Sequence, residues 1–124
     1  MKMVSRSHAF GPTAGAADTK GIIGAAYKVP KGGTIKQIRV CFYQGTIDKS
    51  TTGILYLTTD VQKGPFEFAI GNSIGITTTS GATGPNCPTE VLDCNIPVGP
   101  QEEVTIEVKF SEAVEEVTAS IHWE

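Results

Sequence analysis

The chain has 124 residues, 40% apolar and 19% charged, with a formal net charge of −3. That length holds one domain and leaves no room for two, and a chain of this size buries roughly two-thirds of its unfolded surface, so it needs no metal or disulfide framework to keep a core. The negative balance argues against a general nucleic-acid binder, which carries a strong positive excess, and no run approaches the ~20 apolar residues of a membrane-spanning helix.

Residues 1–20, rich in small residues and punctuated by Gly11, Pro12 and Gly15, show no hydrophobic period and read as an extended arm ahead of a domain at 21–124. Residues 3–20 contain no apolar stretch of the signal-peptide kind, so none is expected. A first strand is predicted over Gly21–Lys28, followed by a turn at Val29–Gly33, where Pro30 sets φ and the two glycines supply positive φ. Thr34–Tyr43 reads as the second strand, with Ile38, Val40 and Phe42 on one face and Arg39, Cys41 and Tyr43 on the other. Lys36 falls on the Ile38 side, so the alternation is clean only in the second half.

Gly53–Thr59 carries apolar residues on both faces and is expected in the middle of a sheet. Phe66–Ile70 and Ser73–Thr79 read as a hairpin around a short Gly71-Asn72 turn. The polar, Gly/Pro-punctuated stretch Thr77–Thr89 is the longest irregular segment, of a length that is often functional in compact domains. Glu90–Ile96 places Leu92, Cys94 and Ile96 on one face. Glu103–Phe110 and Val117–Trp123 alternate cleanly, the first with Val104, Ile106, Val108 and Phe110 inward, the second with Val117, Ala119, Ile121 and Trp123 inward. About eight short strands without a convincing helical period predict an all-β fold, an antiparallel jelly-roll-like sandwich with an N-terminal arm.

Charge divides unevenly along the chain. Residues 1–63 hold nine of the ten basic residues against three acids, and residues 64–124 hold Lys109 against ten acids. Either the two halves interleave and neutralise each other across strands, or the molecule has opposite faces suited to head-to-tail association.

Few residues suggest chemistry. His8 lies in the arm and His122 faces outward on the last strand; a His-dependent nucleophile needs a Ser or Cys within hydrogen-bond reach. Phosphate-binding glycine loops are absent. Cys41, Cys87, Cys94 and His122 lack the close pairing of zinc ligands, and Glu102-Glu103 and Glu115-Glu116 read as solvated strand ends rather than calcium ligands. No catalytic residue, cofactor or metal is therefore predicted. The three cysteines are an odd number; Cys41 reads as a buried thiol in an apolar run, and Cys87 and Cys94 are placed to close a small loop if oxidised. The candidate assembly or binding surface comprises Thr77, Thr78, Thr79, Ser80, Thr83 and Asn86 in the long loop, Phe10 in the arm, and Tyr43 beside Arg39. Tyr27 and Tyr56 are further sugar-platform candidates, while Trp123, sharing a face with Ile121, reads as core.

The run Val29-Pro30-Lys31-Gly32-Gly33-Thr34-Ile35 entering a long strand, the closing pair Glu103–Phe110 and Val117–Trp123, and the small-residue arm together resemble small single-jelly-roll structural proteins of virions: capsid, penton or decoration subunits. The resemblance implies a non-enzymatic, self-assembling coat component located in the virion, with copies of itself and other coat proteins as partners. In that arrangement the arm clasps a neighbour and loops line symmetric contacts. Two alternatives share the architecture: a carbohydrate- or receptor-binding module, and an extracellular filament subunit built by strand donation.

Overall fold

A computed structural model describes residues 6–43, 51–60, 64–72 and 89–124. Among these the chain forms nine strands and no helix: β1 (Arg6–Gly15), β2 (Gly21–Ile22), β3 (Tyr27–Val29), β4 (Gly33–Tyr43), β5 (Thr51–Thr59), β6 (Phe66–Asn72), β7 (Glu90–Val98), β8 (Glu102–Phe110) and β9 (Val114–Trp123). They build two sheets, β1-β9-β4-β7 and β2-β8-β5-β6, with β3 also paired to β8. Strands β2 and β3 run along β8 in one direction, Gly21 and Ile22 opposite Val108 and Glu107, then Tyr27–Val29 opposite Val104–Glu102. Counted as one interrupted strand they give eight, ordered 1-8-3-6 and 2-7-4-5, the order of a jelly roll.

The inward faces of the two sheets form one core. Val104, Ile106, Val108 and Phe110 of β8 and Val117, Ala119, Ile121 and Trp123 of β9 are all buried, as their alternation predicts. Leu55 and Leu57 of β5 join them, and β5 lies between β8 and β6, the central position expected from its two-sided apolar pattern. In β4 the pattern breaks for a local reason. Ile35 and Ile38, three apart, are both buried, because the pairing of β4 with β7 and with β9 slips between Ile35 and Gln37. That bulge turns Lys36 outward and restores the inward phase for Val40 and Phe42.

Three sequence expectations change. The arm is a strand: β1 pairs with β9 from Arg6↔Trp123 through Phe10↔Ala119, and Phe10 is 2% exposed within its own domain's core rather than on an assembly surface. Its irregular sequence reflects a slip in register across Gly11 and Pro12. The predicted strand Gly21–Lys28 is broken at Gly24, whose φ of +64° leaves the extended range. A side chain there would start 2.8 Å from the Gly11 nitrogen, so two glycine backbones in close approach fasten the arm to the margin of the second sheet. The turn expected at Gly71-Asn72 is not formed: β6 continues through both residues, opposite Thr52 and Thr51 of β5. The strand predicted at Ser73–Thr79 lies outside the described residues.

The charge asymmetry resolves into interleaving. Basic β4, with Lys36 and Arg39, is flanked by acidic β7 and β9. Lys28 of β3 stands opposite Glu103 of β8, and Lys20 pairs with Glu107 at 3.8 Å. Jelly-roll topology pairs early strands with late ones, so opposite charges along the sequence meet across the strands.

Candidate functional site

The residues with most chemical potential gather where β1 begins and β9 ends. The turn from β3 to β4 sets one wall. Gln101 holds it twice, its backbone N–H donating to the Val29 carbonyl at 2.7 Å and its Nε2 to the Pro30 carbonyl at 3.2 Å. Gly33, at φ +144°, brings the chain within reach of the last residue; a Cβ there would lie 2.6 Å from the Glu124 carbonyl oxygen. Thr34 and Glu124 then exchange two backbone hydrogen bonds of 3.0 and 3.1 Å. The result projects Lys31 beside the start of β1.

On β1, Arg6, His8 and Phe10 step inward from rim to core at the period of a strand. The His8 ring stacks on Tyr27 with centroids 3.6 Å apart and planes 8° from parallel, and meets the Phe10 ring edge-on at 5.0 Å. Tyr27 is tilted against Trp123 at 6.0 Å. Partial burial lowers the pKa of His8, favouring the neutral ring that stacks. A cleft of about 390 Å³ opens over this group, lined by Arg6, Ser7, Tyr27, Pro30, Lys31 and Trp123.

A second depression, of about 530 Å³, lies on the outer face of the β1-β9-β4-β7 sheet. Gln37 Nε2 donates to Asp93 Oδ1 at 3.4 Å, Arg39 donates to Gln37 Oε1 at 3.2 Å through Nη2, and Lys36 Nζ donates to Asn95 Oδ1 at 3.0 Å. Ser120 Oγ lies 2.9 Å from His122 Nε2. Burial and, second, the Arg39 charge hold His122 below its ordinary pKa. The sequence search did not pair Ser120 with His122, although their i, i+2 spacing on a strand was a visible signal. Among the described residues no carboxylate hydrogen-bonds the other ring nitrogen of His122; Asp93 engages Gln37 instead. The ladder orders the sheet surface, and a nucleophile–base–acid relay would need that third contact.

The remaining candidates fall apart from one another. Tyr43 ends β4 opposite Glu116, and its side chain lies outside the described residues, as do Thr77, Thr78, Thr79, Ser80, Thr83, Asn86 and Cys87. The Cys87–Cys94 bridge that oxidation would have allowed is not formed. Cys94 is a free thiol that donates to the Ile35 carbonyl at 3.4 Å, turned toward β4 by the strand pairing. Burial, then the neighbouring Asp93 carboxylate, push its pKa up and keep it protonated. Cys41, expected as an inert thiol, is disulfide-bonded. Trp123 is buried, as read from its face. Tyr56 is half-buried, with Lys20 Nζ 4.2 Å above its ring. Among the described residues no cluster of three or more His, Cys, Asp or Glu side chains is placed to hold a metal ion.

Fold and site thus define a jelly-roll β-sandwich with an aromatic, cation-rimmed cleft at one margin. No protein-family model matches the chain, and no curated protein matches its sequence.

Proposed function

We propose that the protein is a self-assembling structural subunit of the jelly-roll type, a coat or penton-type component, whose copies join along β6. The state of the sheet edges carries this reading. Proline and register slips interrupt β1 at Pro12; β7 slips in register opposite Ile35 and Gln37 and carries Pro97 near its end; β2 and β3 are short pieces. Each is a device that blunts an edge against pairing. Strand β6 is different: it runs seven residues, Phe66–Asn72, without a proline, paired on one side by β5 and by no other strand among the described residues. A continuous open edge is the natural seat for strand addition by another chain. The disulfide at Cys41 suits an oxidising setting such as a virion surface.

Light scattering on the full-length protein over a range of concentrations tests the reading. The expected result is a mass well above the 13.1 kDa of one chain. Ala69 is exposed in the middle of β6, so Ala69→Lys adds an edge charge without touching the core and is expected to release monomers. A wild-type monomer at every concentration overturns the proposal. An Ala69→Lys protein that assembles normally removes β6 from it.

A further inference from the structure

The cleft at the β1–β3 margin carries two cations on its rim. Among the described residues Arg6 and Lys31 are both exposed, the cleft's lining contains no acid, and neither cation forms an ion pair, the ion pair found being Lys20–Glu107. Between them lies an aromatic surface already fixed in place. His8 covers one face of Tyr27, whose half-buried ring lines the cleft, and Trp123 backs the group. A ring held by stacking loses little freedom on binding, so its contact area is cheap in entropy. Ser7 adds a hydroxyl able to donate or accept.

We propose that this cleft binds an acidic sugar, a pyranose ring carrying a carboxylate or sulfate. The apolar side of the ring packs on Tyr27, the anionic group sits between Arg6 and Lys31 in charge-assisted hydrogen bonds, and Ser7 meets a ring hydroxyl. The inference goes beyond the assembly reading and does not depend on it. The volume, about 390 Å³, suits a ligand of one or two rings. A polynucleotide needs a basic track that follows its backbone with repeated stacking platforms. Here two cations flank a single cleft on a chain of net charge −3, which repels a polyanion at long range.

Trp123 is the sole tryptophan of the chain and lines the cleft, so its fluorescence reports occupancy directly. Full-length protein is titrated with a glucuronic-acid disaccharide, a sulfated disaccharide, a neutral disaccharide, sodium sulfate and a short oligothymidylate. The expected result is a saturable change with one or both acidic sugars, weakened by added salt, and little response to the neutral sugar. Arg6→Gln combined with Lys31→Gln, both at exposed positions, weakens that binding by at least about tenfold, the loss expected for charge-assisted contacts, while circular dichroism stays native. Four results overturn the proposal: no saturable change with either acidic sugar; equal binding of the neutral sugar; an unchanged affinity in the double variant; or sulfate or oligothymidylate binding as tightly as the sugars, which marks a plain anion site or a nucleic-acid site.

Discussion

Cutting the large side chain from Phe10 tests whether the N-terminal segment is a dispensable arm or part of the fold. Phe10 is 2% exposed and sits in the core cluster with residues of both sheets. Replacement by alanine removes the buried ring and leaves a cavity, which costs about 3–5 kcal/mol at comparable core sites. A domain of this size has a total stability of about 5–15 kcal/mol, so Phe10→Ala remains folded in the cold but loses roughly 10–25 °C in melting temperature. Deleting residues 2–20 goes further. It removes every β1–β9 pair from Arg6↔Trp123 to Gly15↔Val114 and uncovers that side of β9. The truncated chain is expected to lose near-ultraviolet dichroism and cooperative melting. Thermal and urea unfolding followed by dichroism and Trp123 fluorescence measure both. A melting temperature for Phe10→Ala within about 3 °C of wild type, less than the shift a single kcal/mol produces, would show that the ring is not in the core. A truncated protein that melts cooperatively would show that β1 is an appendage after all.

Gly33→Ala places a methyl group at φ +144° and 2.6 Å from the Glu124 carbonyl, so it is expected to destabilise the protein by about 1–3 kcal/mol in urea unfolding and to disturb the cleft wall. Thr51 is 1% exposed and its hydroxyl has no hydrogen-bond partner among the described residues; Thr51→Val is therefore expected to be neutral or stabilising by up to about 1 kcal/mol, read from the urea midpoint. His8 and His122 both have pKa values lowered from 6.5, chiefly by burial. The folded state then binds fewer protons than the unfolded chain between the lowered values and 6.5, so their contribution is complete above pH 6.5 and is lost as pH falls through the lowered values. The urea midpoint should drop between pH 7.5 and pH 5, and the drop should shrink when both histidines are replaced by asparagine.

The sequence was most legible where one periodicity acted alone. Strand β8, and β9 from Val117 onward, alternate without interruption because each lies inside a sheet with one face on the core, and their inward residues were readable one by one. Legibility failed where the backbone, rather than the side-chain pattern, decides. β1 has small residues and a slip across Gly11 and Pro12, so no window of its sequence shows a period of two, although Phe10 anchors it. β4 hides a bulge that only the pairing with two neighbours reveals. The cleft was legible only in pieces. Tyr27 stood out as an aromatic and His8 as a histidine, but they are nineteen residues apart and stack only because β1 and β3 occupy the same margin of the sandwich. Arg6 and Lys31 sat in segments read as arm and turn, where exposed cations are ordinary. Nothing in residue order says that they share a rim.

The two proposals make a joint prediction that neither makes alone. Strands β1 and β2–β3 end the two sheets on one side, and β6 and β7 end them on the other, where the Gly71 N–H donates to Glu90 Oε1 at 3.1 Å. The cleft belongs to the first margin and the β6 edge to the second, with the width of both sheets between them. Sites so separated and sharing no residue are expected to act additively. Ala69→Lys should therefore change the solution mass and leave the acidic-sugar titration of Trp123 as it was. Arg6→Gln with Lys31→Gln should do the reverse, and the triple variant should show both losses at their single-variant sizes. A cleft that loses its ligand when Ala69→Lys releases monomers would mean that a neighbouring copy completes it, with the β6 edge of one copy meeting the β1–β3 margin of the next.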